Sequence, residues 1–459
     1  MITTGTGNDM ENHKDPATHR LLLRGGTVLS MDPAVGDFAP GDVLIEGTRI
    51  KAVGPRIDLD APAMDCTGRI VMPGFVNSHH HMFQTALRGY WSDALAVDYF
   101  TQSRQGENAI FHHYSPGDVY WGQYAGALEQ LNAGTTTVVD TSQCTYTPEH
   151  TDAAVEALRE SGLRCVYAYS ATSGSAVPHP QSRHPLDVSR LRQAVFGSDD
   201  QLVTLALGTP VNRANWQLAR ELDLPIFSHV NDEAAGLQVE ELARQGLAGP
   251  WNTYIHCTGL ASSTWQVIAA TDGKASLSNL VEQTLCTGMP GMQAALDHGV
   301  QPSFSTDAVS LGPTDFFTQM RAAYALQRSR LQEKAVRGTV DSRRISTRDV
   351  LRMATIEGAR AAHLDHRVGS LTPGKEADVI VLNGGLINAA PVNQATGAVV
   401  MMMDTSNVES VLIGGRPVKQ DGRLLDVDVP AVVRAVEASA EGLIARSGYP
   451  DLLLGSCRN

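Results

Sequence analysis

The 459-residue sequence predicts an α/β fold: a (β/α)8 TIM barrel carrying a small discontinuous β-sandwich domain drawn from the two chain ends. Three observations predict it. Eight short apolar runs alternate with helix-length amphipathic stretches. His79, His81, His229, His256 and Asp307 stand at or near the C-terminal ends of those runs, the face on which such a barrel builds its site. Short alternating segments joined by Gly turns precede the first run and recur after the last.

In chain order the strands are Ile70 to Ser78, Thr135 to Thr141, Leu163 to Tyr169, Leu202 to Leu207, Leu224 to Val230, Asn252 to Cys257, Lys274 to Ser278 and Gln301 to Asp307. Amphipathic stretches at Val119 to Asn132, Thr151 to Ser161, Asn215 to Leu222, Ala234 to Gln245 and Met292 to His298 supply intervening helices. Leu21 to Ser30, Asp42 to Glu46 and Arg49 to Val53 alternate as small antiparallel strands, and Ala377 to Leu382 and Val408 to Gly414 match them near the other end. The expected division is a disordered tail over 1–20, a small β domain from 21–69 and 377–428, the barrel over 70–376, and a C-terminal helix and tail over 429–459.

The segment Val71-Met-Pro-Gly-Phe-Val-Asn-Ser-His-His-His81 is the sharpest local signal. Alternate side chains of a strand share a face, so His79 and His81 project together while His80 points away. Neutral imidazole is a common metal ligand, and two delivered to one point form the start of a site. A single strand-end His or Asp has a plain alternative, capping a backbone group. Five at one barrel mouth do not, because such groups are poorly placed in an interior without partners.

Longer words resemble the amidohydrolase superfamily, in particular the aminohydrolases and chlorohydrolases of nitrogen heterocycles and the related phenylurea and thiocarbamate hydrolases. Pro73-Gly-Phe-Val-Asn-Ser-His-His-His-Met-Phe-Gln-Thr85 resembles the first-strand motif, in a version similar to the 8-oxoguanine and hydroxyatrazine aminohydrolases. Ala133-Gly-Thr-Thr-Thr137, Ile255-His-Cys257 and Ser305-Thr-Asp307 resemble the second-, sixth- and eighth-strand motifs. Met353 to Ala359 and Val368 to Val379 are similar to the helix and the return segment that lead into the family's small β domain. The resemblance implies that His79, His81, His229 and Asp307 hold one divalent metal, with His256 either supporting those ligands or facing the substrate. No lysine ends the fourth strand to bridge a second ion, so one metal per chain is expected. Three His and a carboxylate suit zinc, with iron, cobalt or manganese compatible by ligand type. A metal-bound hydroxide is then available near neutral pH, Asp307 can carry the water proton to the leaving group, and His256 can donate to the developing oxyanion.

One position departs from the pattern. Ring-deaminating members of the family place a glutamate three residues after the third histidine, whereas His229-Val-Asn-Asp-Glu233 places Asp232 there. Aspartate is a methylene shorter, and proton transfer needs heavy atoms within about 3 Å. The expected function is therefore cleavage of a C–N bond of amide, urea or carbamate type in a small, partly aromatic neutral substrate, with Asp232 or Glu233 as a further proton-transfer candidate. The alternatives are an aminohydrolase of a purine or triazine, and a catalytically inactive barrel acting as a binding protein.

Substrate contacts are expected from the long insert Met82 to Pro116, with Phe83, Gln84 and Trp91 as candidates beside His256. Its aromatics also suggest pairing of subunits into a homo-oligomer. The formal net charge of −13 and the absence of a basic run argue against a nucleic-acid surface. No apolar stretch approaches 18 residues and no signal peptide is seen, which excludes a membrane partner from the reading. Six cysteines without paired spacing read as reduced thiols of a cytoplasmic protein, Cys257 among them as core.

Overall fold

The computed structural model describes residues 20–105, 109–171, 182–338, 343–450 and 453. The tail expected over 1–20 lies outside them apart from Arg20, which begins a strand, and so does most of the C-terminal tail with Cys457.

Eight parallel strands pair in sequence order: Phe75–His80, Thr135–Ser142, Arg164–Ser170, Val203–Gly208, Ile226–Val230, Asn252–His256, Lys274–Leu277 and Ser303–Phe304. The last strand is short, and the barrel closes through a parallel bridge between His80 and Asp307. There the His81 N–H donates to Asp307 O at 2.8 Å and the Asp307 N–H donates to His79 O at 3.2 Å. The closing seam thus runs through the candidate ligands themselves.

Helix boundaries follow local chemistry. Pro116–Asn132 starts where Ser115 Oγ accepts from the Asp118 N–H and Pro116 occupies the first turn. Pro148–Ser161 opens on proline and stops at Gly162, whose φ of 71° lies in the left-handed region. The helix Ile356–Ala361 falls in the segment where the family resemblance implied one; it is buried on most sides and shows no amphipathic stripe. It plugs the barrel floor, where Ala359 joins Val76, Val139, Val166, Ala206, Phe227 and Ile255 in one apolar cluster.

The segment read as one strand, Ile70 to Ser78, is two. Arg69–Pro73 pairs with Val379–Asn383 and with Arg20–Val28, and only Phe75–His80 enters the barrel. Gly74 stands between them, where a Cβ would overlap the Thr136 side chain, so the chain passes from one sheet to the other at a residue that has none. The chain ends meet in a continuous mixed sheet of nine strands. Its order is Arg423–Leu424, Arg416–Gln420, Val408–Ile413, Val379–Asn383, Arg69–Pro73, Arg20–Val28, Phe38–Glu46 and Arg49–Gly54, with Ala63–Asp65 beside Arg20–Val28. It encloses its own apolar cluster, including Leu23, Val43, Val71, Val379 and Leu412. The helix Val429–Ser447 follows it and returns to the barrel, where Ser439 Oγ and Arg446 hold Asp118. Among the described residues no helix is long and apolar enough to cross a membrane.

A buried ion pair ties the two sheets. Arg164, at the start of the third barrel strand, donates to both oxygens of Asp378 at 2.7 and 3.0 Å, with Glu376 3.6 Å away. Removing one partner strands a buried charge, at a cost of roughly 3–5 kcal/mol. Asp378→Ala is expected to lower the thermal unfolding midpoint well below that of the parent protein, as followed by circular dichroism; an unchanged midpoint would show that the pair carries no such weight.

Candidate functional site

His79, His81, His229, His256 and Asp307 converge at the C-terminal mouth of the barrel. The ring of His79 lies 4.6 Å from that of His81, 4.9 Å from that of His229 and 5.5 Å from that of His256, centroid to centroid. Asp307 Oδ1 is 3.3 Å from both His79 Nε2 and His81 Nε2, and Oδ2 is 3.9 Å from His256 Nε2. Ligand atoms of His79, His81 and His229 lie within 4.8 Å of one another, as do those of His79, His256 and Asp307.

Simple alternation does not produce this arrangement. In the first strand, Val76 belongs to the interior cluster, while Asn77 reaches Gln130 on the surrounding helix Pro116–Asn132. Continued alternation would send His79 outward with Asn77. Instead the pairing register with the second strand shifts between Asn77 and His80, and His79 turns inward beside His81. In the sixth strand Ile255 faces the interior, so His256 should face out. His256 and Cys257 adopt φ of 69° and 53°, and Asp307 adopts 57°, all in the left-handed region that costs a non-glycine residue about 1–3 kcal/mol. Those turns aim His256 and Asp307 at the common point, and Cys257 stays buried in the core.

The donor set fits a divalent ion. His79 Nε2 is buried without a hydrogen-bond partner. Ligand atoms held about 2.0–2.1 Å from one ion in a tetrahedron lie ~3.3 Å apart, the spacing found around Asp307 Oδ1. Thr141, at the end of the second strand, orients both imidazoles of the first: His81 Nδ1 donates to its carbonyl at 2.8 Å, and His79 Nδ1 is hydrogen-bonded to its hydroxyl at 2.8 Å. The Nε2 of His81 is left as an acceptor, and that of His79 faces the same point. Burial holds His79 below the usual imidazole range and His81 and His229 well below it, so their lone pairs are available. Burial opposes ionisation of Asp307, but the close approach of His79 Nε2 and the fields of His256, His79 and His81 hold its carboxyl well below the carboxylate range.

Above these residues opens a cavity of about 220 Å³. Tyr99, Phe100 and Arg104 from the insert form one wall, and Gln143, Asn231, Val281, Glu282 and Leu285 contribute elsewhere. The Arg104 guanidinium lies 5.2 Å from the Tyr99 ring centroid and donates to the Tyr99 hydroxyl at 2.9 Å.

Several expected site residues sit elsewhere. Phe83, Gln84 and Trp91 are fully buried behind the cavity wall and do not line it. Phe83 packs 5.0 Å from Phe111, Gln84 donates to the Tyr99 hydroxyl at 2.9 Å, and Trp91 packs 5.3 Å from Tyr99. The insert's aromatics are largely turned inward, which removes the exposed surface on which subunit pairing rested. Asp232 is exposed and caps the helix Glu233–Arg244, accepting from the Ala235 N–H at 2.8 Å, so it stands outside the cavity. Glu233 is exposed on the first turn of that helix.

A carboxyl the sequence did not single out occupies the site. Glu282, on the helix Asn279–Thr284 after the seventh strand, is buried and lines the cavity. Its Oε1 accepts from the Ser278 N–H at 2.7 Å and pairs with His256 Nδ1 at 3.2 Å. Burial pushes His256 down, but the Glu282 hydrogen bond and the Asp307 and Glu282 charges outweigh it and raise the imidazole above its ordinary value. The one available signal was an acidic residue in the first turn after a barrel strand, a position also taken by plain helix-dipole partners.

The amidohydrolase family model matches residues 70–418. The 5'-deoxyadenosine deaminase of Methanothermobacter thermautotrophicus is 29% identical over 452 residues, covering 92% of this chain and 98% of the relative. The 5-methylthioadenosine/S-adenosylhomocysteine deaminase of Syntrophobacter fumaroxidans is 28% identical, with 91% and 96% covered. Among solved structures, an adenosine deaminase from Xanthomonas campestris with bound zinc superposes with a TM-score of 0.81 at 22% identity, covering 94% of this chain and all of that one (100%). The zinc-bound atrazine chlorohydrolase of Arthrobacter aurescens gives 0.80 at 21% identity, with 92% and 100% covered, so both share the fold.

Thr141→Val removes the hydroxyl that holds His79 and leaves the carbonyl that holds His81. Metal affinity, measured by competition with a chelator, is expected to fall roughly 10–100-fold. Affinity equal to the parent's would mean that His79 needs no such partner.

Proposed function

The chain belongs to the amidohydrolase family, and from that premise we propose that it is a metal-dependent aminohydrolase releasing ammonia from an amino-substituted nitrogen heterocycle of purine type. The observation that carries this reading is the extent of the likeness to relatives named as deoxyadenosine- and methylthioadenosine-type deaminases, which runs through more than nine-tenths of both chains at 28–29% identity. The geometry is suited to it. His79, His81, His229 and Asp307 would hold a divalent ion, which when bound would supply Lewis acidity and lower the pKa of a water toward about 7, with zinc best matched to the donors and iron, cobalt or manganese compatible.

The protein's own groups supply the rest. Asp307, ionised and placed between the imidazoles, accepts the proton of the attacking water and returns it to the departing nitrogen. His256, carrying a proton on the side facing Asp307, donates to charge developing on the oxygen. Tyr99 and Phe100, their rings tilted 55° to each other, contribute aromatic surface to the cavity wall.

A second reading, hydrolysis of an amide, urea or carbamate, is favoured by the exposure of Asp232, because an acyl carbon needs no ring-nitrogen acid. The inactive-barrel reading has the intact donor set against it. A panel of an adenosine-type nucleoside, an aminotriazine, an aryl urea, an aryl carbamate and an anilide separates these. Ammonia is expected from the nucleoside or triazine, with about one divalent ion per chain by elemental analysis. Aniline from the acyl compounds alone would shift the assignment to the second reading, and no turnover with no metal would leave the binding protein.

A further inference from the structure

Deamination of a ring needs a carboxyl to protonate the ring nitrogen, and Asp232 is turned away from the cavity. We propose that Glu282 fills that place from the seventh strand and exchanges the proton with the substrate's ring nitrogen. The assignment rests on the aminohydrolase reading.

Three observations carry it. Glu282 is 1% exposed yet forms part of the cavity wall. Its Oε1 is fixed from two directions, by the Ser278 N–H and by His256. Its Oε2 is buried with no hydrogen-bond partner among the described residues, so one polar atom of a cavity-lining residue is left over. Burial raises the Glu282 carboxyl above its ordinary value, in the direction an acid needs.

The proton balance closes within the site. Water oxygen bonds to the amine-bearing carbon and gives a proton to Asp307, while the C=N electron pair moves to the ring nitrogen, which takes the proton of Glu282. The exocyclic C–N bond then breaks with its pair on nitrogen, which leaves as ammonia with the proton from Asp307. The new hydroxyl becomes C=O and its proton restores Glu282. No oxidant or other co-reactant is required.

The test compares the parent enzyme with Glu282→Gln, Glu282→Asp and Asp232→Ala, each loaded with metal, by kcat and KM for ammonia release as a function of pH, alongside metal content. Glu282→Gln is expected to lose roughly 10²–10⁴-fold in kcat, with KM within about threefold and the metal retained. Glu282→Asp is expected to recover part of the loss, and Asp232→Ala to stay within about threefold of the parent. The limb of the kcat profile that falls toward high pH, where the acid is deprotonated, is expected to vanish in Glu282→Gln. Parent-like kcat in Glu282→Gln, or a large loss in Asp232→Ala, overturns the assignment while the aminohydrolase reading stands. Absence of ammonia release by the parent enzyme from every heterocycle overturns both, and loss of metal in Glu282→Gln assigns the residue to holding the site together.

Discussion

Five groups that prefer water meet at one point, four of them buried and His229 partly so, and the neighbouring structure is arranged around that burden. An isolated buried charge or unpaired polar group is expensive, so His79, His81, His229, His256 and Asp307 are tolerable only as a set. Asp307 supplies the negative charge that the imidazoles face, and the closing of the barrel supplies Asp307: its N–H and C=O bond to His79 and His81 across the seam. The join that makes the sheet continuous and the join that assembles the donors are the same. A barrel that failed to close would lose the donor set with it.

This demand explains where regular geometry is given up. A register shift before His79 and left-handed turns at His256 and Asp307 cost energy that ordinary strand residues would not. The compensation lies in the rigid surroundings. Below the site, the apolar floor is sealed by Ile356–Ala361, where Gly358 packs so closely that a Cβ would stand 2.5 Å from Val76 O. Beside it, Arg164 bridges the third barrel strand to Asp378 and Glu376, which head the strand Val379–Asn383 of the mixed sheet. The returning C-terminal half thus braces the barrel on which the N-terminal half places its first ligands.

Much of the fold was legible because its signals are periodic. Each barrel strand is a short apolar run with a polar residue where the run meets the mouth, and that pattern survives in sequence whatever the turns between. The break at Gly74 was not legible, since Arg69–Pro73 and Phe75–His80 are both apolar and continuous, and only the close approach of Thr136 separates them. The convergence of the five strand-end residues was readable by position, but the turns that aim His256 and Asp307 were not, because φ is set by tertiary context. The insert misled for a related reason. Its aromatics mark a wall, but composition does not say which residues face the cavity, and Tyr99 and Phe100 do so while Phe83 and Trp91 stand behind them.

The contrast between Asp232 and Glu282 shows how such a barrel separates chemistry from sequence position. All eight strands deliver their ends to one mouth, so a carboxyl required there can be carried by any strand whose following turn reaches the cavity. After the fifth strand, Asp232 is committed to capping a helix, a task for which its short side chain is well suited. After the seventh, Glu282 has the longer reach and a backbone N–H and an imidazole to fix one oxygen. A pattern tied to one strand registers the first position as a loss, whereas in three dimensions a second carboxyl, from the helix after another strand, stands at the cavity beside His256.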